Sequence, residues 1–235
     1  MTESKNTLKS LNKMFKITEH LKRDGGKTVS ELATELDIPK STIQVHLNTL
    51  KANKFVVRDG PKYQIGLRFL KYGMQTLLRN PIFPTAKSKV EELADTTGEL
   101  AACFVEELNE AVYIYGRAGD RAIRTELAMG DRAGLHCTGS GKAILAYLPE
   151  ERIQEILTQQ SLEEKTSQTI TDADQLRKEL SEIRKRGYAY SDEESIEGVR
   201  SVAAPVLIQG EVLCSISLAG PATRFVGDRF REEIP

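Results

Sequence analysis

Apolar residues recur at helical spacing through the first part of the chain. Leu8, Leu11, Phe15, Ile17 and Leu21 predict an amphipathic helix, with Lys9, Lys13, Lys16 and Lys22 between them and a stop at Asp24-Gly25-Gly26. A second helix opens after Thr28 or Ser30 as cap, with Leu32 and Leu36 on one face and Glu31 near the positive helix end. After Asp37-Ile38-Pro39 a third helix begins near Lys40 or Ser41, its stripe Ile43, Leu47 and Leu50 turned into a core. Thr42, Gln44, His46 and Asn48 are then left facing outward, with Lys40 and Lys51 at the ends. Two short alternating strands follow around Asp59-Gly60-Pro61, a hairpin carrying Arg58 and Lys62 near its tip. Two helices joined tightly, the second exposing hydroxyl, amide and basic groups, with a basic hairpin behind them, read as a winged helix-turn-helix over residues 1–66. Leu67, Leu70, Met74, Leu77 and Leu78 predict a linker helix within 67–81, ending at Asn80-Pro81, whose apolar face suits pairing with a second copy or burial in a core.

From residue 82 to 235 helix and strand patterns alternate. Helices are expected over Ala86–Thr97, Ala143–Leu148, from Pro149 onward and over Asp172–Arg186. Strands are expected at Leu100–Val105, Ala111–Tyr115, Tyr188–Tyr190, Ser201–Ile208 and Glu211–Leu218, with a weaker one at Ala122–Leu127. Hairpins at both ends with helices between argue for an α+β domain, an antiparallel sheet flanked by helices.

Charge sharpens this division. The whole chain of 235 residues carries a net −1, yet residues 1–80 hold 15 Lys/Arg against 7 Asp/Glu, and residues 81–235 hold 18 against 27. The basic part has the footprint of a polyanion-binding module, and the acidic part does not coat nucleic acid. On this reading Thr42, Gln44, His46 and Asn48 read base edges, while Lys40, Ser41, Lys51, Arg58 and Lys62 hold phosphates. No apolar run exceeds six residues, as at Leu100–Val105, so no membrane-spanning helix is expected. An N-terminus without an apolar signal region and three cysteines without zinc-site spacing fit a reducing cytoplasm.

Candidate chemistry centres on Gly134-Leu-His-Cys-Thr-Gly-Ser-Gly-Lys142. It is no phosphate-binding loop, because His136 stands where the first Gly belongs and Ala143 follows the Lys. What remains is a run of amides at a helix start, suited to a carboxylate. His136 and Cys137 are neighbours whose side chains diverge, so an acyl-transfer nucleophile is not expected, nor a metal site or cofactor. A small-molecule-processing enzyme with a basic accessory domain is the competing class. The polar loop Ser191–Arg200 could close over a pocket beside Gly139–Gly141, with Ser201, Ser215 and Ser217 supplying hydroxyls.

Three stretches resemble the IclR family of transcriptional regulators: Ile38-Pro39-Lys40-Ser41-Thr42 in the winged helix, Leu135 through Ala143, and Asp192-Glu193-Glu194 through Gly198-Val199-Arg200 to Ala203-Ala204-Pro205-Val206. The resemblance implies a DNA-binding domain followed by a GAF-like effector domain, assembled as homodimers or homotetramers on a double-stranded operator. It also implies a small metabolite effector, often a carboxylate or aromatic, and a ligand-responsive regulator, most naturally a repressor. Carried over by position, Gly139 and Ser140 match amides that contact effector, and Asp192, Val199 and Ser201 match the closing segment. Ser217 matches a strand hydroxyl facing the ligand, and Ala219 stands where some members have a second serine. Leu135 follows Gly134 where many members place a proline, and relatives usually continue past Pro235 into a final helix.

Overall fold

The computed structural model describes residues 7–22, 25–125, 127–159, 161–227 and 230. Asp24 of the expected helix stop, Glu126 of the expected weak strand and the terminal 231–235 lie outside the described residues. The chain divides into two compact units, 1–79 and 80–235.

The first unit holds α1 (Lys9–Leu21), α2 (Val29–Leu36), α3 (Lys40–Ala52), β1 (Val56–Asp59), β2 (Lys62–Ile65) and α4 (Arg68–Leu78). Thr28 caps α2 reciprocally: its Oγ1 accepts from the Glu31 amide at 3.2 Å and its own amide donates to Glu31 Oε2 at 2.7 Å. That backbone hydrogen bond holds the Glu31 carboxyl below its ordinary range. The α2–α3 turn is set by Asp37 in a left-handed conformation (φ 52°) and by Pro39 ahead of α3. Ile17, Leu32, Ile43, Leu47 and Val56 then close over one core. Helix α4, expected as a connector, packs within this unit: Phe55 sits 4.8 Å from the Phe69 ring and stacks on Tyr72 at 5.6 Å, with the Arg68 guanidinium over it.

The second unit opens with α5 (Phe83–Thr97), then β3 (Leu100–Glu107), β4 (Glu110–Ala118), β5 (Arg132–Gly134), α6 (Gly139–Leu145), α7 (Glu150–Gln159), α8 (Ala173–Arg186), β6 (Ala189–Asp192), β7 (Val199–Ile208) and β8 (Glu211–Pro221). The six strands form one antiparallel sheet in the order β5-β4-β3-β8-β7-β6. Tyr115 donates to Glu91 of α5 at 2.8 Å, which places α5 on the Cys103–Tyr115 face. The opposite face, with Ala102, Phe104, Tyr113 and Ala203, packs against α6, α7 and α8 around Leu145, Ile153, Leu176 and Leu180.

One expected element is corrected. Residues 122–125 and Leu127 are irregular, and the edge strand is β5, three residues paired to Glu110–Val112. The chain leaves β4 through a turn in which the Arg121 amide donates to Gly98 and that of Ala122 to Gly119. The outer edge of β4 at Tyr113 is meanwhile taken by Gly130 and Asp131, so the 122–127 stretch has no ladder to join.

Thr28→Ala removes the cap while leaving the core intact. Chemical unfolding of the first unit is expected to show a loss of about 1 kcal/mol; no loss would remove the capping box from the account.

Candidate functional site

The recognition surface is built on α3. With Ile43, Leu47 and Leu50 buried, helical geometry puts Ser41, Val45 and Asn48 on or near the outward midline. Thr42 and His46 lie on one flank and Gln44 and Lys51 on the other; Thr42, Gln44 and His46 are half-buried. Gln44 is not free to the solvent side: its Nε2 donates to Asn48 Oδ1 at 2.9 Å and to the Tyr63 hydroxyl at 3.2 Å. The second bond ties the helix to β2 through Tyr63. The pattern reading passed over Val45, which is 63% exposed at the centre of the face. A β-branched residue in a buried-looking stretch gives no polar signal; only its phase, two residues from Ile43 and Leu47, marks it as outward.

Around this helix, Lys40, Lys51, Arg58 and Lys62 are all exposed. The wing turns through Gly60 (φ 55°), and Arg58 folds back on it, Nε donating to the Gly60 carbonyl at 2.9 Å. Lys62 extends from the base of that turn, opposite Asp59.

In the second unit, α6 starts hard against the sheet. A Cβ on Gly139 would lie 2.9 Å from Ser201 Oγ of β7, and one on Gly141 would lie 2.6 Å from Leu135 Cα in the loop before the helix, so glycine lets the helix start close to both the sheet and its own approach loop. Thr138 caps α6, its Oγ1 accepting from the Gly141 amide at 2.9 Å. Gly139, Ser140, Ser201 and Ser217 are brought together under this helix, with Val199 at the end of the same strand face. Ser215 shares the face, fully enclosed and without a hydrogen-bond partner.

Asp192 is not brought into this group. Strand alternation turns Ser191 toward α6, where its hydroxyl lies 3.4 Å from the Cys137 carbonyl, and turns Asp192 to the other face. There Arg200 Nε donates to Asp192 Oδ1 at 2.6 Å.

Lys142, weighed in the sequence only as part of a failed phosphate loop, is 1% exposed and donates to Glu194 Oε1 at 2.6 Å, with Glu179 3.9 Å away. Burial pushes the Glu194 carboxyl up despite this partner. Thr166 and Thr169 donate to the carbonyls of Glu193 and Glu194, so the 193–198 loop is tied to α6 by the ion pair and to the 166–169 turn through its backbone. A buried lysine gives no sequence signal beyond its place between apolar neighbours.

His136 and Cys137 do not pair with each other. His136 Nε2 donates to the Glu163 carbonyl at 3.0 Å and the Cys137 thiol to that of Gly134 at 3.5 Å. Burial pushes the Cys137 thiol up and so away from a thiolate. Among the described residues no His, Cys, Asp and Glu cluster could hold a metal ion, and no helix is long and apolar enough to cross a membrane. A cleft of about 410 Å³ opens on the α5 face, lined among others by Leu93, Tyr188, Val202, Ala204, Ile216 and the Ser217 segment of β8.

Lys142→Met strands a buried carboxylate and is expected to cost about 3–5 kcal/mol in urea unfolding of the second unit. Because Glu194 already titrates above its unfolded value, ionising it is what costs stability, and the deficit should grow as pH rises from acid to neutral. Adding Glu194→Leu should recover most of the loss. A single variant as stable as the wild type would show that the pair is not enclosed.

Residues 74–234 match the model of the bacterial transcriptional regulator IclR C-terminal domain, and residues 15–59 match a helix-turn-helix domain. The chain is 31% identical over 225 residues to the HTH-type transcriptional repressor AllR of Escherichia coli K12, covering 94% of this chain and 83% of that one. It superposes on the Thermotoga maritima IclR crystal structure with a TM-score of 0.82 at 32% identity, covering 95% of this chain and 92% of that one. An IclR homolog from Microbacterium hydrocarbonoxydans, complexed with 4-hydroxybenzoate, shares the fold at a TM-score of 0.78 and 22% identity, covering 92% of this chain and 91% of that one. With a DNA-binding helix-turn-helix in its first unit and the family's C-terminal domain in its second, this chain belongs to the IclR family of transcriptional regulators.

Proposed function

We propose that this regulator is a ligand-responsive repressor that works in the cytoplasm as a homodimer or homotetramer. The observation that carries the DNA half is the outward midline of α3, flanked by lysines and backed by the wing. Inserted in the major groove, Asn48 would pair with base edges while Val45 would pack its methyls on a thymine methyl. Thr42 and His46 would reach bases from one flank. Lys40, Ser41, Lys51, Arg58 and Lys62 would hold phosphates on either side and fix the register.

Pairing of two copies follows from apolar side chains left uncovered on the first unit. Leu8, Leu11 and Phe15 at the start of and along α1, and Leu67, Leu70 and Leu78 at the start of and along α4, are all exposed, which a soluble monomer rarely tolerates in such density. Two paired units would present two α3 helices to half-sites one helical turn apart. The effector, a small carboxylate or aromatic as in the hydroxybenzoate-bound homolog, would lie between α6 and the sheet face carrying Ser201 and Ser217. Binding there would favour one arrangement of the paired chains, and with it one spacing of the two wings.

Three measurements test this. Lys62→Ala should weaken operator and random duplex alike and lower the salt slope by about one. Asn48→Ala should cost about 1–3 kcal/mol on the operator and relax preference at one base pair; an equal loss on random DNA would remove Asn48 from base reading. Leu70→Glu should shift the sedimenting species toward monomer and weaken operator binding, whereas an unchanged oligomer would place the interface elsewhere.

A further inference from the structure

The sheet face beneath α6 holds a row of positions without a bulky side chain. In register, Gly116 on β4 faces Ala102 on β3, Ala102 faces Ser217 on β8, and Ser217 faces Ala203 on β7. The phenol of Tyr113 reaches into the Gly116 end of this row. The β3–β4 register shifts between Cys103, opposite Tyr115, and Phe104, opposite Tyr113, leaving Ile114 without a partner. That bulge brings Tyr113 and Gly116, three residues apart, onto one face, where regular alternation would separate them. A Cβ on Gly116 would lie 1.7 Å from the phenol oxygen, so the missing side chain is what makes room for the ring tip.

Tyr113 packs on Phe104 with ring centroids 5.2 Å apart and is 6% exposed. Its hydroxyl makes no hydrogen bond among the described residues. Nor is it sealed: the fully enclosed, unpartnered polar side-chain atoms among those residues are Glu194 Oε2 and Ser215 Oγ. The polar tip of this buried ring thus has neither a partner among the described residues nor full enclosure, and Ser217 Oγ, two strands along the row, is in the same condition. Burial also pushes the phenol above its ordinary value, which keeps it a proton donor at neutral pH.

The geometry points to Tyr113 as a specificity-determining hydrogen-bond donor that selects effectors carrying a second polar group, with Ser217 at the opposite end. This rests on the reading of the α6 face as the effector site. Gly116 and Ser217 are two strands apart, about 10 Å at the usual strand spacing. Two hydrogen bonds of about 2.8 Å leave about 4–6 Å between the polar ends of the guest. Short dicarboxylates and hydroxybenzoates have that span, whereas an acid with one polar end reaches only one side.

The test is calorimetric titration of the full chain with paired probes, succinate against butyrate and 4-hydroxybenzoate against benzoate. The wild type is expected to bind at least one bifunctional probe more tightly than its partner. Tyr113→Phe should weaken that probe about 3- to 10-fold and leave the monofunctional one unchanged. Gly116→Ala, which displaces the hydroxyl without removing it, should weaken the same probe, and melting curves confirm that both variants fold. If Tyr113→Phe changes both members of a pair equally, or neither, while Ser217→Ala still weakens binding, Tyr113 is excluded and the site stands. If no probe binds the wild type, the effector reading of this face is itself overturned.

Discussion

The second unit depends on how closely α6 approaches the sheet. A Cβ on Gly139 would press on Ser201 of β7, Gly141 lies as close to Leu135 in the loop before the helix, and the strand face below is made of Ala102, Ala203 and Ser217. A tight approach needs small residues on both sides, and small residues leave gaps wherever the helix does not reach. Polar tips lie in those gaps, while Leu145, Ile153, Leu176 and Leu180 supply the apolar burial on the outer side of the helix. Stability and the candidate binding face thus come from one packing solution. The buried pair of Lys142 and Glu194 extends it, fastening the 193–198 loop to the helix at an electrostatic cost that burial of Glu194 makes visible.

The first unit meets a different demand, because its working surface must stay exposed and yet hold its angle. Tyr63, buried in the core, is the link: its ring packs with Ile43 and Leu47, and its hydroxyl accepts from Gln44. The recognition helix and the wing therefore move as one body. On the proposed reading, Asn48 at the bases and Lys62 at a phosphate would share a register for that reason.

Much of this was legible in the residues. Thr28 with Glu31 marked the start of α2, the stripe Ile43, Leu47 and Leu50 fixed which side of α3 is buried, and Asp172 and Gly187 bounded α8. Features set by tertiary context were not. Periodicity at Ala122–Leu127 suggested a strand, but the partner edge was already occupied. Proximity in sequence joined Asp192 to the binding loop, yet alternation turned it to the far face and onto Arg200. Polarity gave no sign of Val45, since polarity does not report helical phase. The bulge at Ile114 leaves no mark in composition, and without it Tyr113 and Gly116 would not meet.

The central claim is that a ligand is held on the α6 face and not in the cleft beneath α5. Amide chemical-shift mapping on the full chain, titrated with a compound that raises its melting temperature, tests this most directly. Shifts concentrated at Ala102, Gly116, Gly139 and Ser201 are expected. Shifts concentrated instead at Leu93, Val202, Ala204 and Ile216 would contradict that placement.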